Sequence, residues 1–214
     1  MKKIQKGLFI ISLCCLLIIL SGCGETKADK EYAKNPQAYV LKELKEKYAI
    51  EAEVEKEETK VYNGKNGKIE YEYFVLSLKN DKDFKFNATT MWQMEERNFN
   101  RHYEFATNYA SFINYKLLTE YFTNYPKIKF IGELGEVSEQ TLVRNYEMSI
   151  FVDDTNYLNE IPSILIGAQN SINSLYDVNL RVKSNGKVAS VMLKPRHNSR
   201  TVEEVVEDLK VLKN

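Results

Sequence analysis

The sequence predicts an α+β fold, an antiparallel sheet with helices packed mainly on one face, from three observations. Residues 69–78 (IEYEYFVLSL) alternate side chains at the period of a strand. Leu158, Ile161, Leu165, Ala168, Ile172 and Leu175 recur at steps of three and four, the period of a helix. Asn185-Gly186 stands between two alternating runs, the signature of a hairpin turn. The order strand, helix, two strands, helix, strand across about 69–184 suggests a ferredoxin-like (split β-α-β) core.

Each element has its own warrant. Asn35-Pro36 offers a capping acceptor and a residue whose fixed φ suits the first helical position, so a helix starts there with Leu41, Leu44 and Tyr48 on one face. Residues 50–61 alternate weakly and are densely charged, as suits an edge strand. After a turn at 63–68, the strand at 69–78 places Ile69, Tyr71, Tyr73 and Val75 opposite Glu70 and Glu72. A short strand is expected at 84–90 and a long aromatic helix at 103–122, carrying Ala106, Tyr109, Ile113, Leu117 and Tyr121. Strands follow at 127–131 and 142–152, the latter with Tyr146, Met148, Ile150 and Val152 on a common face.

Asp153-Asp154-Thr155 supplies caps for the next helix. A two-residue type I′ turn at Asn185-Gly186 would set Val182 opposite Ala189, Leu180 opposite Val191 and Val178 opposite Leu193. A slip of one residue would turn that apolar set to solvent, so the register is strongly specified. Thr201-Val202-Glu203-Glu204 is a capping box opening a last helix with Val202, Val205, Leu209 and Leu212.

The N-terminus is built differently. Lys2, Lys3 and Lys6 precede an apolar run at 8–20, and small residues Ser21 and Gly22 close it, the layout of a secretory signal. The run would cover only about 20 Å as a helix, short of the roughly 30 Å of bilayer hydrocarbon. Leu20-Ser21-Gly22-Cys23 resembles the lipobox of bacterial lipoproteins. The resemblance covers the first 23 residues and implies that Cys23 is lipidated on sulfur and becomes the mature N-terminus. A diacylglyceryl group on Cys23 would supply two acyl chains, enough for stable membrane anchoring. The expected organisation is a signal peptide at 1–22, a lipidated flexible tether at 23–34 and a single α+β domain at 35–214, with two halves meeting near 132–138 as the alternative.

Cysteine usage fits that organisation: Cys14 and Cys15 would leave with the signal, and Cys23 alone cannot form an internal disulfide. The chain carries 30 basic and 30 acidic residues, and the signal holds three lysines and no acid, so the exported part is net acidic by three. That balance argues against a nucleic-acid partner. Abundant Lys, Asn, Tyr and Ile with few Gly and Pro suggest an AT-rich genome. A Gram-positive source would place the domain on the extracytoplasmic face of the cell membrane.

No motif for a reaction is present. His102 and His197 lack His-x-x-x-His or Glu-x-x-His spacing, so neither a metal nor a cofactor is implied. No Gly-x-Ser-x-Gly elbow, phosphate loop or Gly-x-Gly-x-x-Gly turn occurs. Asp153-Asp154 reads as capping, and Glu95-Glu96 as one adjacent acidic pair. Lys194, Arg196, His197 and Arg200 precede a helix start and form a candidate anion-binding loop, although the acids Glu203 and Glu204 oppose that use.

The aromatic load is heavy, 14 Tyr and 10 Phe, and more rings crowd 99–125 than one buried stripe can hold. Tyr103, Tyr109, Phe112 and Tyr115 are therefore a candidate partner or ligand face, against the plainer reading of a thick core with hydroxyls at its rim. These features lead to an anchored, non-catalytic protein-binding or adaptor domain with an envelope or membrane protein partner. A cell-envelope hydrolase with a dispersed site and a small-ligand capture protein are the alternatives.

Overall fold

The computed structural model describes residues 26–64, 67–94, 101–138, 140–172, 177–194 and 199–213. The fold is α+β, but it divides into two compact units between Ala106 and Thr107. Neither the single domain over 35–214 nor a junction near 132–138 describes that division. Each unit has its own four-stranded sheet, so the expected ferredoxin-like core, which needs residues 69–78 and 178–184 in one sheet, is not the observed order.

The first unit contains α1 (Lys27–Lys34), α2 (Pro36–Tyr48), β1 (Ala52–Gly64), β2 (Gly67–Leu78), β3 (Asp81–Met94) and β4 (Arg101–Thr107), with strand order β1-β2-β3-β4. Asn35 caps α2 by accepting from the Ala38 amide at 3.1 Å, as its sequence position predicts. β1 is an edge strand, again as predicted, and its charges pair with neighbours, including Lys85 with Glu55 at 3.1 Å. α2 packs against β1 and β3. Val40 and Leu44 of the helix, with Phe74, Leu76, Phe86 and Ala88 of the sheet, are at most 2% exposed. Alternation along β2 holds as far as Leu76, yet its fully buried apolar positions are Phe74 and Leu76, on the side of Glu70 and Glu72.

The expected flexible tether is helical over α1. Thr26 and Asp29 cap each other: the Asp29 amide donates to Thr26 Oγ1 at 3.1 Å, and the Thr26 hydroxyl to Asp29 Oδ2 at 2.6 Å. Lack of apolar periodicity suggested no structure there, but a polar contact orders the helix instead. Asp29, 8% exposed, accepts from the backbone amide of Tyr103 through Oδ1 at 3.1 Å. Tyr39 Oη donates to the Tyr103 carbonyl at 3.2 Å. The amide and carbonyl of one strand residue point to the same edge, so these two side chains cover part of the free edge of β4.

Burial alone would raise the Asp29 carboxyl pKa, but hydrogen bonds from Thr26 and the Tyr103 amide, with the nearby His102, hold it below the usual range. The folded value is depressed below an unfolded value of about 3.9. The stabilisation is therefore complete above that value and is lost as pH falls through the folded pKa. Amide exchange across α1, corrected for intrinsic rates, is expected to stay slow at neutral pH and to accelerate below about pH 4. Asp29→Ala is expected to weaken α1 docking at neutral pH by about 1–2 kcal/mol, since the buried Tyr103 amide loses its acceptor.

The second unit contains α3 (Tyr109–Phe122), β5 (Lys129–Leu134), β6 (Tyr146–Phe151), a 3-10 turn (Thr155–Asn159), α4 (Ile161–Ser171), β7 (Val178–Ser184), β8 (Lys187–Leu193) and α5 (Val202–Lys213). Its sheet order is β5-β6-β7-β8. The β5-β6 and β7-β8 pairs are antiparallel, but β6 and β7 are parallel. The expected antiparallel pairing holds for β1-β2 and β2-β3 of the first unit and for both hairpins of the second, whose sheet is mixed because a helical crossover through α4 returns the chain in the same direction. The hairpin register is the predicted one, Val182 with Ala189, Leu180 with Val191 and Val178 with Leu193. Asn185 and Gly186 both take positive φ, 48° and 76°, as a type I′ turn requires.

Leu118 and Phe122 of α3, Ile161, Leu165 and Ala168 of α4, and Val205, Leu209 and Leu212 of α5 share one core cluster with Met148, Ile150, Leu180 and Val191 of the sheet. The helix expected over 103–122 begins only at Tyr109, and residues 101–107 are strand. Its buried stripe runs through Ala110, Asn114, Leu118 and Phe122, one position beyond the predicted phase. Asp154 caps the 3-10 turn through the Asn156 amide at 2.9 Å, after which Pro162 lies in the first turn of α4.

Candidate functional site

Within the first unit, α2 covers the inner part of one face of the sheet. Towards the other end of β2 the same face carries Glu72 and Glu70 instead of Phe74 and Leu76. A cleft of about 440 Å³ opens there, lined by the end of α1 (Ala33), Pro36, and residues of β2, β3 and β4. Thr90 is paired with Glu72 in the ladder, and Trp92 follows Thr90 on the same face. Tyr103 of β4 closes the floor: its hydroxyl lies 2.7 Å from Thr90 Oγ1, and its ring meets Trp92 edge-on at 5.3 Å.

The cleft is acidic and aromatic. Glu72 is half-buried and accepts from Thr59 Oγ1 at 3.0 and 3.1 Å; Glu70 is exposed at the mouth, with Lys68 beside it. Burial pushes the Tyr103 phenol above its ordinary pKa, the Thr90 hydrogen bond opposes this, and the charge of Glu72 adds to the rise. Burial also raises Tyr71. Both phenols therefore remain neutral.

Of the four aromatic candidates, Tyr103 alone lines this cleft. The structure does not place them on one helix face. Tyr103 is on β4, while Tyr109, Phe112 and Tyr115 are on α3 of the second unit. Tyr109 is 6% exposed. Tyr115 stacks on Tyr146 at 4.5 Å with planes 5° apart, and Phe112 meets Tyr146 edge-on at 5.4 Å. These rings pack against the sheet. His102 pairs with Glu104, Nε2 to Oε1 at 2.6 Å, on β4.

In the candidate anion loop, Arg196 and His197 lie outside the described residues, as do Cys23 and Glu95-Glu96. Arg200 is engaged: Nη1 pairs with Asp208 and Nη2 donates to the Glu204 carbonyl at 2.9 Å. The predicted capping box is present, with the Thr201 amide donating to Glu204 at 2.8 Å and the Glu204 amide to Thr201 Oγ1 at 3.3 Å. Lys194 is half-buried, and its amide is used structurally. Among the described residues, no group of three or more His, Cys, Asp or Glu is placed to hold a metal ion.

Sequence reasoning missed Gln169. It is 2% exposed on α4 and clasps both ends of the 194–200 segment. Its Oε1 accepts from the amides of Lys194 (3.1 Å) and Arg200 (3.2 Å), and its Nε2 donates to the Arg200 carbonyl (3.3 Å). A polar residue within the 158–175 apolar stripe was the available signal. Gln169→Leu is expected to cost about 2 kcal/mol by leaving these backbone groups unpaired, measurable by thermal denaturation.

No family model matches the chain, and no curated protein matches it. A solved DUF5037 family protein from Ruminococcus gnavus ATCC 29149 is similar over 70% of this chain and 75% of its own, at 13% identity and a TM-score of 0.32. A likeness of that degree supports no inference about fold or function.

Proposed function

We propose that this protein is an extracytoplasmic lipoprotein of a Gram-positive bacterium, held to the cell membrane through diacylglyceryl-Cys23, whose globular part is a non-catalytic binding or adaptor domain for an envelope or membrane protein. The observation that carries the reading is Leu20-Ser21-Gly22-Cys23 closing a basic and then apolar N-terminal segment. No helix among the described residues is long and apolar enough to cross a membrane. A second reading, small-ligand capture, is favoured by the cleft over β2, β3 and β4.

The test is growth with a radiolabelled or clickable fatty acid, followed by membrane fractionation and mild in-cell crosslinking. The wild-type chain is expected to carry label, sediment with membranes and bring down one partner in near-stoichiometric amount. Cys23→Ala is expected to lose the label. A labelled wild type with no crosslinked partner would remove the adaptor role and leave ligand capture. An unlabelled wild type would remove the anchor.

A further inference from the structure

We infer that the cleft of the first unit binds a small organic cation, an alkylammonium group seated between the carboxylates of Glu70 and Glu72 and the ring of Trp92. This deepens the ligand-capture reading and does not depend on the anchor.

The argument begins with the break in character along β2. Phe74 and Leu76 are fully buried, but Glu72 and Glu70 continue the same face towards the open end. A surface without a ligand role could carry any polar residue there. This one sets two carboxylates two positions apart beside the chain's one tryptophan, in a concavity of about 440 Å³. That volume lies within the range of small-molecule sites, roughly 300–1,000 Å³.

The chemistry selects the ligand class. Carboxylates attract a cation, and the π-faces of Trp and Tyr favour one that is large and weakly hydrated. Two carboxylates do not make a metal site, and the described residues place no third His, Cys, Asp or Glu with them. An inorganic divalent ion would also gain nothing from an aromatic wall. An alkylammonium ion uses both features. Lys68 at the mouth offsets one of the two carboxylate charges, so the net charge of the cleft matches a single positive charge. Thr59 fixes Glu72 with its hydroxyl, and the Tyr103 ring backs Trp92, so the site is held in place before a ligand arrives.

Trp92 makes the inference directly testable, because all tryptophan emission comes from the cleft. The full chain in non-ionic detergent would be titrated with tetramethylammonium chloride at ionic strength held constant with NaCl. tert-Butanol serves as the uncharged analogue. A saturable change in emission is expected with tetramethylammonium alone. Glu70→Gln and Glu72→Gln are each expected to raise the half-saturation concentration about tenfold, a difference of about 1.4 kcal/mol. Glu70 is exposed, so its variant retains the fold even if Glu72→Gln does not. A response that never saturates, an equal response to tert-butanol, or an unchanged half-saturation in Glu70→Gln would overturn the inference. None of these results bears on the fatty-acid labelling of Cys23.

Discussion

Phe74→Ala is expected to lower the stability of the first unit by about 3–5 kcal/mol, the usual cost of deleting a buried ring. Phe74 is wholly buried, at the centre of β2, paired with Glu57 on one side and Ala88 on the other. Ala88 is too small to fill the space, and Val40 and Leu44 are held by the α2 backbone. Urea denaturation followed by Trp92 emission reports on this unit, since the chain has one tryptophan. Tyr73→Ala provides the comparison, because the adjacent ring is half-buried on the opposite face beneath the Lys60 ammonium at 3.4 Å. Its loss is expected to cost less than half as much. Equal costs would mean that the strand's buried face has been misassigned.

Gly132→Val is expected to destabilise the second unit by about 3 kcal/mol, at the upper end of ordinary overpacking. A Cβ at Gly132 would collide with two ring atoms of Tyr115. The ring cannot retreat easily, because it is stacked on Tyr146 at 4.5 Å and on Phe130 at 5.8 Å. The absence of a side chain at Gly132 is what lets the ring lie flat over β5. The decisive measurement is a double-mutant cycle. In a Tyr115→Ala background, Gly132→Val is expected to cost far less, because the space is already open. Strict additivity of the two changes would mean that the ring and the glycine do not share that space.

The same ring illustrates why the site was harder to read from the sequence than the fold. Periodicity identifies apolar faces, and it succeeded where a segment has only one. The 178–193 hairpin came out in register because a slip would have exposed its whole apolar set. The caps at Asn35 and Thr201 followed from local chemistry, which needs no tertiary context, whereas Asp154 caps a 3-10 turn and not the helix expected after it. In α3 apolar and aromatic residues occur all round, so the phase was ambiguous and the true stripe lay one position away. The same crowding hid the boundary at Asn108, and β4 was read as the first turns of a helix.

The cleft was partly legible. Aromatic crowding points to Tyr103 but on a helix instead of β4, and alternation along 69–78 marks Glu70 and Glu72 only as the polar side of a strand. Their meeting with Trp92 depends on the β2-β3 register, which the sequence leaves open because the β3 segment alternates poorly. Division into two sheets was also out of reach. Strand order comes from pairings between distant segments, whereas patterning reports only neighbours a few residues apart.

The cap at Thr26 and Asp29 bears on how far the first unit could stand from a bilayer. A twelve-residue tether over 23–34 would reach about 40 Å when extended. With α1 formed and docked on β4, only three steps of chain separate Cys23 from Thr26, at most about 10 Å. On the proposed anchoring, the leash is about a quarter of the length that the unfolded tether would have. The first unit is then confined close to the headgroups, and only a partner that reaches nearly to the lipid surface can meet the flank that carries α1. Because Asp29 secures the leash, acid sufficient to protonate it would lengthen the reach severalfold without cutting the anchor.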